Sequence, residues 1–142
     1  MFRRDYIIRL IEEFGVLWAR LVEALRGGDI SAARLTIDAA YQRLLGLTPH
    51  DIQALSSAHL IARLQLGVTP EAGREQLWVM SALLRAEGDL AAAAGLVDVT
   101  RQYYRRALDL ILAAEQLDPD PTLPSYVPTR DELMAILQHG AK

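Results

Sequence analysis

The stretch with the clearest potential for chemistry is the run Arg101-Gln102-Tyr103-Tyr104-Arg105-Arg106. On a helix, Arg101 and Arg105 are one turn apart and share a face. Two guanidinium groups on one face, with Tyr103 nearby, are suited to binding a phosphate, a carboxylate or the C-terminus of a partner protein. We therefore treat Arg101, Tyr103 and Arg105 as candidate residues for binding an anion or a partner.

The alternative interpretation of this run is structural. Tyr103 and Tyr104 would then be core residues, and the arginines would form ion pairs with Asp98 and Asp109 along the same helix. Both interpretations place the run on a helix, but only the first requires a groove beside it.

Other residue types that support catalysis or metal binding form no recognisable pattern. The histidines lie in different segments, at His50, His59 and His139, without an i,i+4 pair or a Glu-x-x-His motif. The glycines form no phosphate-binding loop, and the pair Ser56-Ser57 lacks the context of a nucleophile elbow. We predict no catalytic residue, no metal site and no cofactor, and we expect the protein not to be an enzyme.

Composition and charge narrow the classes of partner and compartment. The formal net charge is −3, with 15 basic and 18 acidic residues, a balance that argues against nucleic-acid binding. Cysteine is absent, which excludes disulfides and suits a reducing cytoplasm. No apolar run approaches the ~18 residues of a membrane span, and charged residues interrupt the N-terminal segment. We therefore expect a cytoplasmic protein without a signal peptide or membrane contact.

The helices that must position the arginines are predicted from apolar spacing. Apolar residues recur at helical intervals and no long alternating segment is present, so the fold class is all-α with no sheet. The central unit is a hairpin of two antiparallel helices, 70–87 and 89–118, joined at Gly88-Asp89. Its second helix carries a long apolar stripe that needs a partner along its whole length. The residues of that stripe include Leu96, Tyr103, Leu110 and Leu117.

The remaining elements complete a single domain, 1–142, of about six to seven helices in antiparallel hairpins packed as a bundle. Further helices are predicted over 3–26, 30–45 and 130–138, with capping residues at Asp29 and Thr129. Start signals at Thr48-Pro49 and Ser56-Ser57 predict either two helices, 49–55 and 57–66, or one continuous helix over 49–66. The segment 118–128 contains four prolines and is predicted to be an irregular loop before the short C-terminal helix.

The central hairpin resembles the tetratricopeptide repeat. Gly28-Asp29-Ile30 recurs sixty residues later as Gly88-Asp89-Leu90, a weak internal repeat. In the repeat family, bulky and small residues precede the Gly, and an aromatic residue, Ala-Leu and Asp-Pro follow it. Here those places are taken by Leu77, Ser81 and Leu84, and then by Tyr104, Ala107-Leu108 and Asp118-Pro119 at longer spacing. The resemblance implies a short repeat-like helical array, not a regular one.

A second resemblance concerns the opening of the chain. The segment 3–14, Arg-Arg-Asp-Tyr-Ile-Ile-Arg-Leu-Ile-Glu-Glu-Phe, and the segment 44–47, Leu-Leu-Gly-Leu, are similar to a group of short bacterial helical proteins of unknown function. This resemblance supports the helical fold and implies no activity.

The first helix is predicted to contribute to a homodimer. Its apolar seam is wider than one neighbouring helix usually covers, and soluble monomers rarely expose a large apolar patch. The alternative is that the proline-rich loop and the last helix fold back and cover the seam within one chain. A mass near 15.8 kDa in sedimentation equilibrium would exclude the dimer. The candidate interface residues are Ile7, Ile11, Phe14, Trp18 and Leu21.

Two hypotheses of function follow. The first is a non-enzymatic helical module that binds an unidentified protein partner or a second copy of itself. The second is a small-ligand binder, anion binder or enzyme with a groove between helices near Arg101 and Arg105. A deep polar pocket converging on those two arginines would favour the second.

Overall fold

The structure, a computed structural model, describes residues 2–117 and 123–139, with side chains from residue 9 onward. This part of the chain contains seven α-helices and no strand, which confirms the predicted all-α fold class. A single π-helical turn, Tyr41–Leu45, continues the second helix. The helices are α1 Phe2–Arg26, α2 Ile30–Ala40, α3 Pro49–Ala54, α4 Ser57–Gln65, α5 Pro70–Ala93, α6 Val97–Leu117 and α7 Arg130–His139.

Helix α5 lies at the centre of the fold and is buried on nearly every face. It forms an antiparallel hairpin with α6 and also packs against α1, α2 and α4. Its buried polar side chains therefore need partners inside the protein. Ser81 meets this requirement across the hairpin, because its Oγ donates to the carbonyl oxygen of Ala107 at 2.8 Å.

The helix starts agree with the local capping signals in the sequence. The Asp29 carboxylate accepts from the Ala32 amide at 3.0 Å, and Thr48 and Asp51 form a reciprocal capping box. Residues 49–66 form two helices, because Leu55 and Ser56 take extended backbone conformations between them. The second of the two alternatives, one continuous helix, is wrong.

The turn of the central hairpin lies six residues later than predicted. Helix α5 continues through Gly88 and Asp89 to Ala93, and the chain reverses at residues 94–96. Gly95 has a φ of 75°, in the left-handed region that glycine adopts without strain. The predicted turn at Gly88-Asp89 is wrong, and Gly95 ends a helix instead of lying inside one.

The proline-rich loop and α7 fold back over the rest of the chain. The ring of Tyr126 meets that of Phe14 edge-on, with centroids 4.7 Å apart, and lies 6.4 Å from that of Trp18. Val127 in the loop and Leu133 in α7 are buried in the core. The predicted Asp118-Pro119 pair and residues 120–122 of this loop lie outside the described residues.

Candidate functional site

Three arginines of α6 line one open groove of about 540 Å³, called the arginine groove below. The groove lies where the first half of α6 faces the junction between α3 and α4, with α7 at one end. Its lining residues are Gln53, Leu55, Ser56, Ser57, Arg101, Gln102, Arg105, Arg106 and Leu137. None of them is acidic, so the charged side chains that line the groove are all arginines.

The sequence of α6 explains why the arginines reach this surface. The helix buries one face against α5, and that face is formed by Tyr104, Ala107, Leu110, Ile111 and Ala114. Arg105 and Gln102 lie off this face and are exposed, whereas Arg101 and Arg106 flank it and are half-buried. Helical periodicity therefore places the guanidinium groups along the rim of the buried stripe.

Two of the three arginines are held in place by backbone carbonyl groups. The Nη2 atom of Arg106 donates to the carbonyl oxygens of Ile52 and Leu55, at 2.8 and 3.0 Å. These carbonyls lie at the C-terminal end of α3, where a cation is favoured by the helix dipole. The Nη1 atom of Arg101 donates to the carbonyl oxygen of Leu137 near the end of α7, at 2.9 Å. Both guanidinium groups keep further N–H donors beyond these bonds.

Arg105 has a different environment. Its side chain is exposed, and it forms no hydrogen bond or ion pair with any described residue. The structural interpretation predicted ion pairs between the arginines of this run and Asp98 and Asp109. No such ion pair is present within the described ranges, 2–117 and 123–139. The guanidinium of Arg105 is therefore the most accessible charge in the arginine groove.

The third predicted residue, Tyr103, lies in a neighbouring depression. That depression, of about 300 Å³, is also lined by Gln53, Val99, Gln102 and Arg106. Burial, with the charge of Glu87 as a smaller cause, raises the pKa of the Tyr103 hydroxyl above its usual value. The structure thus brings Arg101 and Arg105 together in one groove and places Tyr103 beside it.

A partly buried polar cluster joins α2 to α5, and sequence analysis did not identify it. The carboxylate of Glu87 accepts from the Nη1 and Nη2 atoms of Arg34 at 2.5 and 3.0 Å, and from the Tyr41 hydroxyl at 3.0 Å. Arg34 also donates to Asp38 at 2.8 Å. Burial and the nearby Glu87 carboxylate raise the pKa of Tyr41 well above its usual value, so its hydroxyl remains a donor. This cluster holds two helices together, and the Tyr103 hydroxyl beside the arginine groove senses the charges of its Glu87, Arg34 and Asp38 side chains.

The candidate dimer interface on α1 needs correction. Phe14 and Leu21 are 0% and 1% exposed within the single chain, so they face the core and are not available to a second copy. Ile11 and Trp18 are half-buried, and the side chain of Ile7 lies outside the described ones. Among the described side chains of α1, most of the apolar seam is covered by the rest of the fold, including Tyr126. Formation of a homodimer stays a prediction, but Phe14 and Leu21 are no longer expected to lie in its interface.

Two negative findings concern the described residues, 2–117 and 123–139. In that part of the chain, no group of three or more His, Asp or Glu side chains is arranged to hold a metal ion. The same residues include no helix that combines the length and the apolar character needed to cross a membrane.

No protein-family model matches this chain, and no curated protein or solved structure is significantly similar to it. The resemblances to the tetratricopeptide repeat and to short bacterial helical proteins therefore stay predictions. The arginine groove has to be interpreted from its own geometry and charge.

Proposed function

We propose that the protein is a non-enzymatic helical module that binds an acidic segment of a partner protein in the arginine groove. The observation that carries this proposal is the lining of the groove, where three arginines converge without an acidic side chain. The groove is open and broad, a shape suited to an extended chain more than to an enclosed small molecule. The absence of cysteine favours a cytoplasmic setting for this interaction.

Arginine is well matched to a carboxylate partner. Its planar guanidinium forms paired, charge-assisted hydrogen bonds with a carboxylate, and these are stronger than neutral ones. Arg101 and Arg106 are already held by backbone carbonyls, so less side-chain freedom is lost when a ligand binds. Arg105 adds an exposed charge to the same groove.

The negative overall charge of the protein restricts where an acidic peptide could bind. With a formal net charge of −3, the chain as a whole repels an acidic peptide. Binding of such a peptide therefore requires a local positive site. The arginine groove, which is formed by described residues, is such a site because three arginines line it.

The proposal is tested with a fluorescein-labelled peptide, Glu-Glu-Ser-Glu-Glu, whose binding is followed by fluorescence anisotropy at low ionic strength. We expect saturable binding that weakens as salt is added, because exposed charges are screened. The variant Arg105→Glu is expected to weaken binding about tenfold or more, since it removes one charge-assisted contact and adds repulsion.

The matched control is Arg20→Glu, which makes the same change of charge at an exposed position of α1. It should bind the peptide as the wild type does. Equal weakening by both variants would show a nonspecific charge effect, and absence of binding to the wild type would refute the proposal. A Lys-Lys-Ser-Lys-Lys peptide that bound equally well would also refute it.

A further inference from the structure

We propose that the acidic segment carries a large apolar side chain next to its carboxylates, and that this side chain enters an apolar pocket beside the arginine groove. The inference rests on the proposed function, because the groove determines where the acidic residue lies. It adds the sequence character of the partner, which is an acidic residue adjacent to an aromatic or large aliphatic one.

The apolar pocket lies between the α5–α6 turn and α7 and has a volume of about 180 Å³. For comparison, an apolar protein cavity of about 150 Å³ holds a benzene molecule. The pocket therefore has room for one phenyl ring or one leucine side chain. It shares Arg101 and Leu137 with the arginine groove, and its other lining residues are Ala92, Gly95, Val97, Thr100, Tyr104 and Ile136.

The shared residues make the two sites continuous. The hydrogen bond from Arg101 Nη1 to the Leu137 carbonyl oxygen, 2.9 Å long, links α6 and α7 at this boundary. A carboxylate bound by Arg101 thus lies at the edge of the apolar pocket. Neighbouring residues of one extended segment can then fill both sites, since their side chains point in different directions.

The apolar surface around the pocket lacks a cover in the described part of the chain. Leu96 and Val97 are 52% and 65% exposed at the α5–α6 turn, and Met134 of α7 is 43% exposed. Arg101, which lines both the pocket and the arginine groove, gives this surface a positive edge that is complementary to an acidic partner. Interfaces of this kind concentrate binding energy in one large apolar anchor with polar contacts around it.

The inference is tested by comparing two labelled peptides of equal charge, Glu-Glu-Phe-Glu-Glu and Glu-Glu-Ser-Glu-Glu, under identical salt conditions. We expect the wild type to bind the Phe peptide about tenfold more tightly, because the phenyl ring is removed from water. Arg105→Glu should weaken binding of both peptides and keep their ratio.

The discriminating variant is Ala92→Phe, which fills the pocket from an exposed position of α5. It should abolish the preference for the Phe peptide and leave binding of the Ser peptide unchanged. The matched control is Ala93→Phe at the next exposed residue, which does not line the pocket and should keep the preference. If Ala92→Phe does not fold, as judged by circular dichroism, Val97→Ser replaces it and should reduce the preference by removing an apolar wall.

Each outcome has a defined meaning. If the wild type binds both peptides equally, the apolar anchor is refuted while the proposed function stands. If it binds neither, the proposed function itself fails, and the anchor fails with it. A preference that survives both Ala92→Phe and Val97→Ser would refute this pocket as the anchor site. Co-sedimentation with phosphatidylglycerol vesicles that displaces the Phe peptide would assign the surface to lipid and refute the peptide partner.

Discussion

Glu87→Ala is expected to lower the free energy of unfolding by about 3 kcal/mol or more. Glu87 is 5% exposed, and its carboxylate accepts hydrogen bonds from Arg34 and from the Tyr41 hydroxyl. Its removal leaves the fully buried Tyr41 hydroxyl without its acceptor and opens a cavity beside it. Arg34 keeps Asp38 as a partner and is partly exposed, so the larger part of the loss arises at Tyr41.

The measurement is urea denaturation followed by far-ultraviolet circular dichroism. Glu12→Ala is the control, because Glu12 is exposed on α1, and the free energy of unfolding of this variant should differ from the wild type by less than about 0.5 kcal/mol.

Tyr41→Phe alone should lower the free energy of unfolding by about 1 kcal/mol, but in the Glu87→Ala background it should be neutral or stabilising. Additive effects of the two changes would contradict the hydrogen bond between these residues.

Local signals in the sequence predicted where helices begin, and they did so for a physical reason. A capping side chain such as Asp29 or Thr48 binds backbone N–H groups only three residues away. Its effect therefore depends little on the rest of the fold. The all-α class was predictable on similar grounds, since apolar spacing along each segment sets which face is buried.

The position of the hairpin turn was not predictable from such signals. Gly28-Asp29-Ile30 and Gly88-Asp89-Leu90 have similar sequences, yet the first is a turn and the second lies inside α5. At the second copy, the Asp89 carboxylate accepts from the Tyr104 hydroxyl at 2.5 Å and does not cap a helix. The alanines that follow continue the helix easily. A tertiary contact thus decides between two structures that the local sequence allows.

The candidate site was predictable only in part. The spacing of Arg101 and Arg105 placed both on one face of α6, and the structure confirms this common surface. The opposite wall, near Leu55 and Ser56, comes from a distant segment, and Arg106 contacts it across 51 positions of sequence. The bond between Arg34 and Glu87 spans 53 positions. Pairings of this kind depend on the packing of whole helices and leave no local pattern.

Gly88→Ala is expected to lower the free energy of unfolding by about 2 kcal/mol, even though alanine is the better helix former by about 1 kcal/mol. A Cβ atom at Gly88 would lie 2.4 and 2.6 Å from the Cε1 and Cδ1 atoms of the Tyr104 ring. These distances are too short for contact between carbon atoms. The ring is buried and its hydroxyl is bonded to Asp89, so relief requires α5 and α6 to separate.

The matched control is Gly15→Ala, a change of the same kind inside α1, where a Cβ atom would meet nothing within 4 Å. This variant should raise the free energy of unfolding by about 0.5 to 1 kcal/mol, because only helix propensity acts. Opposite signs for the two substitutions, measured by urea denaturation, would identify Gly88 as the point of close approach between α5 and α6. Stabilisation of similar size at both positions would contradict that contact. It would also contradict the placement of the hairpin turn at residues 94–96, because this turn sets the register of α6 against α5 that brings Tyr104 onto Gly88.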